Sequence, residues 1–217
     1  MANLGLGNRT TLKKYLLPGA LAASASALVP DATIDALGLG VARQIERYCN
    51  RTFYRATGTV EEFSGDRFAY VLSRYPLEQV SLIEYKFSDL DSWATAVIST
   101  YLLSASNSSG LLQFAAILGS EWSKYRITYD GGYWFDSTED GSGVLPSGAA
   151  TLPEDLSLAW LELCAEHWKK RDKLGLALSG GGKHQVSQLR FDLALAGISI
   201  PMEISGMLDK HRRYQMS

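Results

Sequence analysis

Apolar residues recur with a helical period near the start of the chain and again in its last third, and with a strand period between. Ile34, Leu37, Val41, Ile45 and Tyr48 stand three and four residues apart and so line one face of a helix near 31–50, with Asp31 or Thr33 as its cap. Gly38 and Gly40 interrupt it at a cost of about 1 kcal/mol each relative to alanine, so their presence points to close packing or to a kink. Ahead of it, Thr10 or Thr11 can cap a short helix that Pro18-Gly19 ends.

From Tyr54 to about Asp130 the period becomes two. Phe68, Tyr70 and Leu72 share one strand face, Val80, Leu82 or Ile83, Tyr85 and Phe87 belong to the next strand, and Tyr125, Ile127 and Tyr129 alternate in a later one. Ser64-Gly65-Asp66 reads as a turn. The run from Ser106 to Gly110 has the residue types of a hairpin loop between Thr100–Ala105 and Leu111–Phe114. The region reads as an antiparallel sheet or a small sandwich, and residues 130–150 as loop.

The strongest helical signal follows. Thr151-Leu152-Pro153-Glu154 has the form of a capping box, and Leu156, Ala159, Trp160, Leu163, Cys164, His167 and Trp168 form a wide apolar stripe, broadened by Leu158, Leu161 and Ala165. This predicts a helix over 153–173, buried on most sides, with Lys169, Lys170 and Arg171 in its last turn and Gly175 as its stop. Ser179 to Gly182 then reads as a flexible linker, Val186 to Leu193 as a short strand, and the residues from Pro201 to Arg213 as a last helix.

Charge is unevenly distributed. Residues 1–53 carry six Lys/Arg against three Asp/Glu, residues 54–150 six against twelve, and residues 151–217 nine against eight, for a net charge of −2. The acidic middle argues against a nucleic-acid groove there, because phosphate binding needs clustered cations. Cys49 and Cys164 lack partners at metal-ligand spacing and read as buried thiols. The N-terminal residues lack the basic start and unbroken apolar run of a signal peptide, and no stretch reaches the roughly 18 apolar residues of a membrane span.

Chemical motifs come out weak. Gly180-Gly181-Gly182-Lys183 is not a phosphate loop, since Ala177 and His184 stand where that motif needs glycine and a hydroxyl. His167, His184 and His211 are too scattered for a metal set or triad. Cys164 and His167 lie one helical turn apart, which a hydrolase could use in a cleft but which a core helix explains. Glu61 and Glu62 are strand neighbours, point to opposite faces and read as solvated, as do Asp89 and Asp91. Tyr129, Tyr133, Trp134 and Phe135, with Trp93 and Trp122, form either core or a sugar- or base-stacking platform. No catalytic residue, metal or cofactor is expected.

Several segments in the same order resemble the head-tail connector (head completion adaptor) proteins of tailed bacteriophages. These are the Leu12-Lys13-Lys14-Tyr15-Leu16 helix; the stretch from Ile45 to Phe53; Arg74-Tyr75-Pro76-Leu77; the stretch from Tyr125 to Tyr133; Leu152-Pro153-Glu154-Asp155-Leu156 opening a helix that ends Trp168-Lys169-Lys170-Arg171; and a terminal Arg212-Arg213. The resemblance implies a non-enzymatic virion protein assembled as a ring, typically of twelve subunits, between the portal protein and a tail-completion or tail protein. Such a ring extends the DNA channel without specific DNA binding or membrane contact. The competing reading is a β-rich receptor- or carbohydrate-binding phage protein.

Joined to the periodicity, the resemblance implies an α+β fold: a helical core (helices near 10–17, 31–50, 153–173 and 201–213) with an inserted antiparallel β region. The chain then divides into N-terminal helices (1–53), a β-rich insertion with loops (54–150), a central helix (151–179) and a C-terminal arm (180–217). Leu189, Phe191, Ile200, Met202 and Leu208 make the arm too apolar to remain in water, and Lys210, Arg212 and Arg213 offer it to an acidic surface. These eight residues are the expected contact with the portal or a neighbouring subunit, and in the resembling family the C-terminal part does reach the portal.

Overall fold

A computed structural model describes residues 4–17, 30–115, 121–138, 142–180 and 200–213. The chain forms two compact units, one of residues 1–49, 136–143 and 152–212, the other of residues 50–135, 144–151 and 213–217.

The first unit is helical. α1 (Arg9–Leu16) begins at Asn8, whose side chain accepts the Thr11 N–H at 2.8 Å, so the cap lies just ahead of the two threonines. α2 (Asp31–Cys49) ends where Asn50 turns left-handed at φ 52°. Asp31 sits in its first turn and, with Asp35, binds Arg9 of α1 at 2.8 and 2.6 Å. The long helix, here α4 (Glu154–Gly180), begins close to the predicted start but runs through Gly175, so Lys169 to Arg171 are not its last turn. Over residues 154–170 its buried face is a single stripe of Leu156, Ala159, Trp160, Leu163 and Cys164, and Leu158 is exposed, so this part of the helix is not buried on most sides. α5 (Met202–Asp209) packs on it through Ile204 and Leu208 and ends four residues before Arg213.

The second unit is built on β-strands. A four-stranded antiparallel sheet has the order β1-β7-β3-β4, where β1 is Ala56–Ser64, β3 Leu77–Lys86, β4 Ala94–Ala96 and β7 Lys124–Gly131. A second sheet orders β2 (Ala69–Val71), β6 (Leu111–Phe114) and β5 (Leu102–Ala105), with the short helix α3 (Ile98–Tyr101) leading into β5. Both sheets contribute to one core: Phe63, Leu77, Ile83, Ala96, Tyr125, Ile127 and Tyr129 meet Leu72, Leu112 and Phe114. The Phe114 and Tyr125 rings stack across it at 4.6 Å.

This corrects the expected helical core carrying an inserted β region. The β residues bury an apolar interior of their own, so the fold is mixed and sheet-rich, not a helical core with an appendage. Nor is the β part wholly antiparallel. Inside the predicted 130–150 loop, β8 (Tyr133–Trp134) pairs in parallel with β9 (Ala150–Thr151), which also takes Thr151 into a strand. Phe68 and Phe87 are 61% and 58% exposed. Residues 181–199, with the predicted linker end and short strand, lie outside the described residues.

Candidate interaction surfaces

The groups singled out for chemistry are occupied by structural work. Cys164 is fully buried and burial alone drives its thiol pKa far up, the reverse of what a thiolate nucleophile needs. His167 meets the Gln44 side-chain oxygen at 3.1 Å, and burial, with help from Lys170, pushes its ring below the ordinary range. Among the described residues no group of His, Cys, Asp or Glu is arranged to hold a metal, and no helix is long and apolar enough to cross a membrane.

Glu61 is not the solvated carboxylate that strand alternation suggested. Its oxygens accept from the Ser73 N–H at 3.0 Å, from the Ser73 hydroxyl and from the Tyr129 hydroxyl, whose pKa is driven up by burial and by this carboxylate. Glu62 does point outward. Other acids of the middle region are also engaged: Asp130 accepts from Gly58 N–H at 2.7 Å and from Gln79, and Glu84 holds Arg126 through two bonds of 2.7 and 2.8 Å. Nor do the aromatics gather into one platform. Tyr129 is core, Trp93 lies over Arg126 and Lys86, and Trp122 is 64% exposed.

Next to Trp122 in the chain, Ser123 reaches the β3–β4 loop, an exposed apolar tip that the sequence pattern did not reveal. The β3–β4 loop presents Leu90 at 96% exposure beside Phe87, yet the loop is well fastened. Asp89 accepts from Lys86 and Lys124 at 2.9 and 2.8 Å, which holds its carboxyl down to about 2. Ser88 turns the chain through its oxygens to Leu90 N–H and Asp91 N–H, and the Ser123 hydroxyl donates to Phe87 O. The loop thus holds Leu90 out in solvent on a pinned backbone. Its sequence signal was an apolar residue set between Asp89 and Asp91.

The helical unit carries a second surface, a groove of about 550 Å³. Its apolar lining is Tyr15, Ala165, Pro201, Met202 and Ile204, and its charged margin is Glu162, Glu166, Glu203 and Lys169. Met202, at 90% exposure, stands at the lip.

Of the eight expected partner-binding residues, Leu189 and Phe191 lie outside the described residues, Ile200 is half-buried and Met202 is open. Leu208 is a core residue of its own unit and is closed to a partner in this conformation. Lys210 pairs with Asp155, Arg212 lies over the Tyr48 ring at 5.1 Å and pairs with Asp209 at 3.7 Å, and Arg213 donates to Val71 O above the Tyr70 ring. The described part of the arm thus folds back on its own chain, with Leu208 as its anchor.

The head completion protein family matches residues 23–214, nearly the whole chain. The chain belongs to this family. As a head completion protein it is a structural component of a phage-type virion. Its fold is similar to that of a chain in the neck of an empty gene transfer agent particle computed with C6 symmetry, with a TM-score of 0.55 at 13% identity, over 100% of this chain and 94% of that one. It is also similar to a chain in the virion of a native gene transfer agent particle, with a TM-score of 0.54 at 12% identity and the same coverage. No curated protein matches by sequence. The two likenesses describe the fold, and they span both the helical and the β unit of this head completion protein.

Proposed function

We propose that the chain is a non-enzymatic ring subunit of the head-tail joint, set between the portal protein and a tail-completion or tail protein, and extending the channel through which DNA leaves. Family membership over residues 23–214 carries the reading, and the whole-chain likeness to a protein of a symmetric neck supports it. Twelve copies form the ring, and the channel takes DNA without base contacts, helped by the acidic excess of residues 54–150. The structure's own contribution is two apolar surfaces displayed to solvent, the Leu90 tip and the Met202 groove, as an interaction protein requires. Within this reading Leu189, Phe191, Ile200 and Met202 contact the portal or the adjacent subunit. No cofactor takes part.

Native mass spectrometry of the purified chain, alone and mixed with portal, tests the assembly, and electron microscopy of heads produced without the chain tests the role. A closed multimer bound to portal, with tail-less heads in its absence, is the expected result. Tailed, infectious particles formed without the chain overturn the proposal.

A further inference from the structure

We infer that the Met202 groove is a docking site for a segment of a neighbouring virion protein that presents a long apolar side chain flanked by lysine or arginine. The inference rests on the structural reading above and names the chemistry of one partner. Charge selects that partner. Glu162 and Glu166 stand one turn apart on α4, a like-charged spacing that disfavours a helix, and Glu203 on α5 borders the same groove. Lys169 relieves Glu166 at 3.4 Å. Glu162 and Glu203 have no cation partner among the described residues. Tyr15, Ala165, Pro201 and Ile204 give the lining an apolar share among these charges, and an exposed methionine can adapt its three rotatable bonds to an entering side chain. Apolar lining residues set among an excess of carboxylates fit the apolar face and basic edges of an amphipathic segment, as in helix-in-groove recognition.

The probe is a synthetic amphipathic peptide with leucines on one face and lysines at its margins, paired with a counterpart bearing glutamates instead. Fluorescence anisotropy with the full chain is expected to show binding of the lysine peptide, weakening with salt, and none of the glutamate peptide. The double variant Glu162→Gln, Glu203→Gln weakens binding by about tenfold, and Met202→Ala weakens it as well, while Glu62→Gln in the β unit leaves it unchanged. Both glutamine changes are isosteric and lie at the groove margin, so thermal melts are expected to match the parent. Equal affinity for the two peptides, indifference to the double variant, or no binding overturns the inference. So does binding that appears only after residues 183–199 are removed, which makes this chain's own segment the occupant. A Met202→Asp variant that dissolves homo-oligomers makes the occupant a second copy and overturns the inference likewise. Ring formation is read separately by native mass spectrometry, so failure of the groove leaves the assembly reading standing.

Discussion

The indole N–H of Trp160 donates to the backbone carbonyl of Gly38 at 3.0 Å, joining the two longest helices of the helical unit at the point where their cores meet. A side chain at position 38 would stand in the way. A Cβ there comes 2.9 Å from Leu4 Cδ1, 3.2 Å from Trp160 Cζ2 and 3.3 Å from Leu12 Cδ2, whereas a Cβ at Gly40 meets nothing within 4 Å. The two glycines of α2 therefore have different causes.

Truncating Trp160 to alanine is expected to cost about 3–5 kcal/mol, because the residue is fully buried and the cavity cannot be refilled from one side. Chemical denaturation measures it. A variant that unfolds at the parent midpoint refutes the placement of Trp160 at the centre of this unit.

Gly38→Ala and Gly40→Ala separate packing from helix propensity. Alanine at 40 is expected to stabilise by about 0.5–1 kcal/mol through propensity alone. At 38 the same gain meets an overpacking cost of about 1–3 kcal/mol, so the net change is destabilising or near zero. Equal effects at the two positions contradict the close approach at Gly38.

Replacing Glu61 with glutamine turns a carboxylate that accepts from the Ser73 N–H, the Ser73 hydroxyl and the Tyr129 and Tyr70 hydroxyls into a poorer acceptor in a half-buried setting, and is expected to cost about 1–3 kcal/mol. Glu62→Gln, on the outward face, is expected to stay within about 0.5 kcal/mol of the parent. Matching melting curves for both variants would return Glu61 to the solvent.

That pair of neighbours shows where sequence reading stops. Strand alternation correctly separates Glu61 from Glu62 and identifies Tyr125, Ile127 and Tyr129 as one buried row, because period two is a local property of the backbone. The same holds for the Leu156, Trp160, Leu163 stripe. What Glu61 binds is not local: Ser73 is 12 residues away and Tyr129 68. The β core was underestimated for a related reason, since its apolar residues are diluted by outward polar neighbours and come from two sheets whose union no single window reveals. The Met202 groove needs Tyr15, α4 and α5 side by side, and Leu208, expected as a partner contact, is buried within its own unit, where Cys49 Sγ meets its carbonyl.

Acidification is expected to destabilise the protein in two stages. His167 has a depressed folded pKa, so its contribution is complete above its ordinary 6.5 and fades as pH falls below that value. Asp89, held to about 2 by Lys124 and Lys86, and Glu84, held down by Arg126, contribute above the ordinary carboxylate range and lose that contribution as pH falls toward 2. Burial pushes Asp155 up, but hydrogen bonds from Lys210 and His211 reverse this and place it in the same acid window. Melting temperatures followed from about pH 8 down to about pH 2 check the order. In His167→Gln the first stage should disappear while the second persists, and an unchanged profile rules out His167 as its source.

Both cysteines are expected to resist alkylation in the folded protein, since both are buried and Cys164 is driven further from its thiolate by burial. Mass spectrometry after iodoacetamide treatment, with and without denaturant, reads this directly. Fast modification of native Cys164 would mean that the α4 stripe opens.

The chain passes between its two units after Cys49, Phe135, Gly143, Thr151 and Arg212. Neither unit is a contiguous stretch of the gene, so neither can be lost, exchanged or expressed alone by a single cut in the coding sequence. The polypeptide passes back and forth between the two: one protease nick at a crossing leaves the other covalent links between the units in place. That interleaving supplies a redundancy of covalent links which no side-chain contact provides.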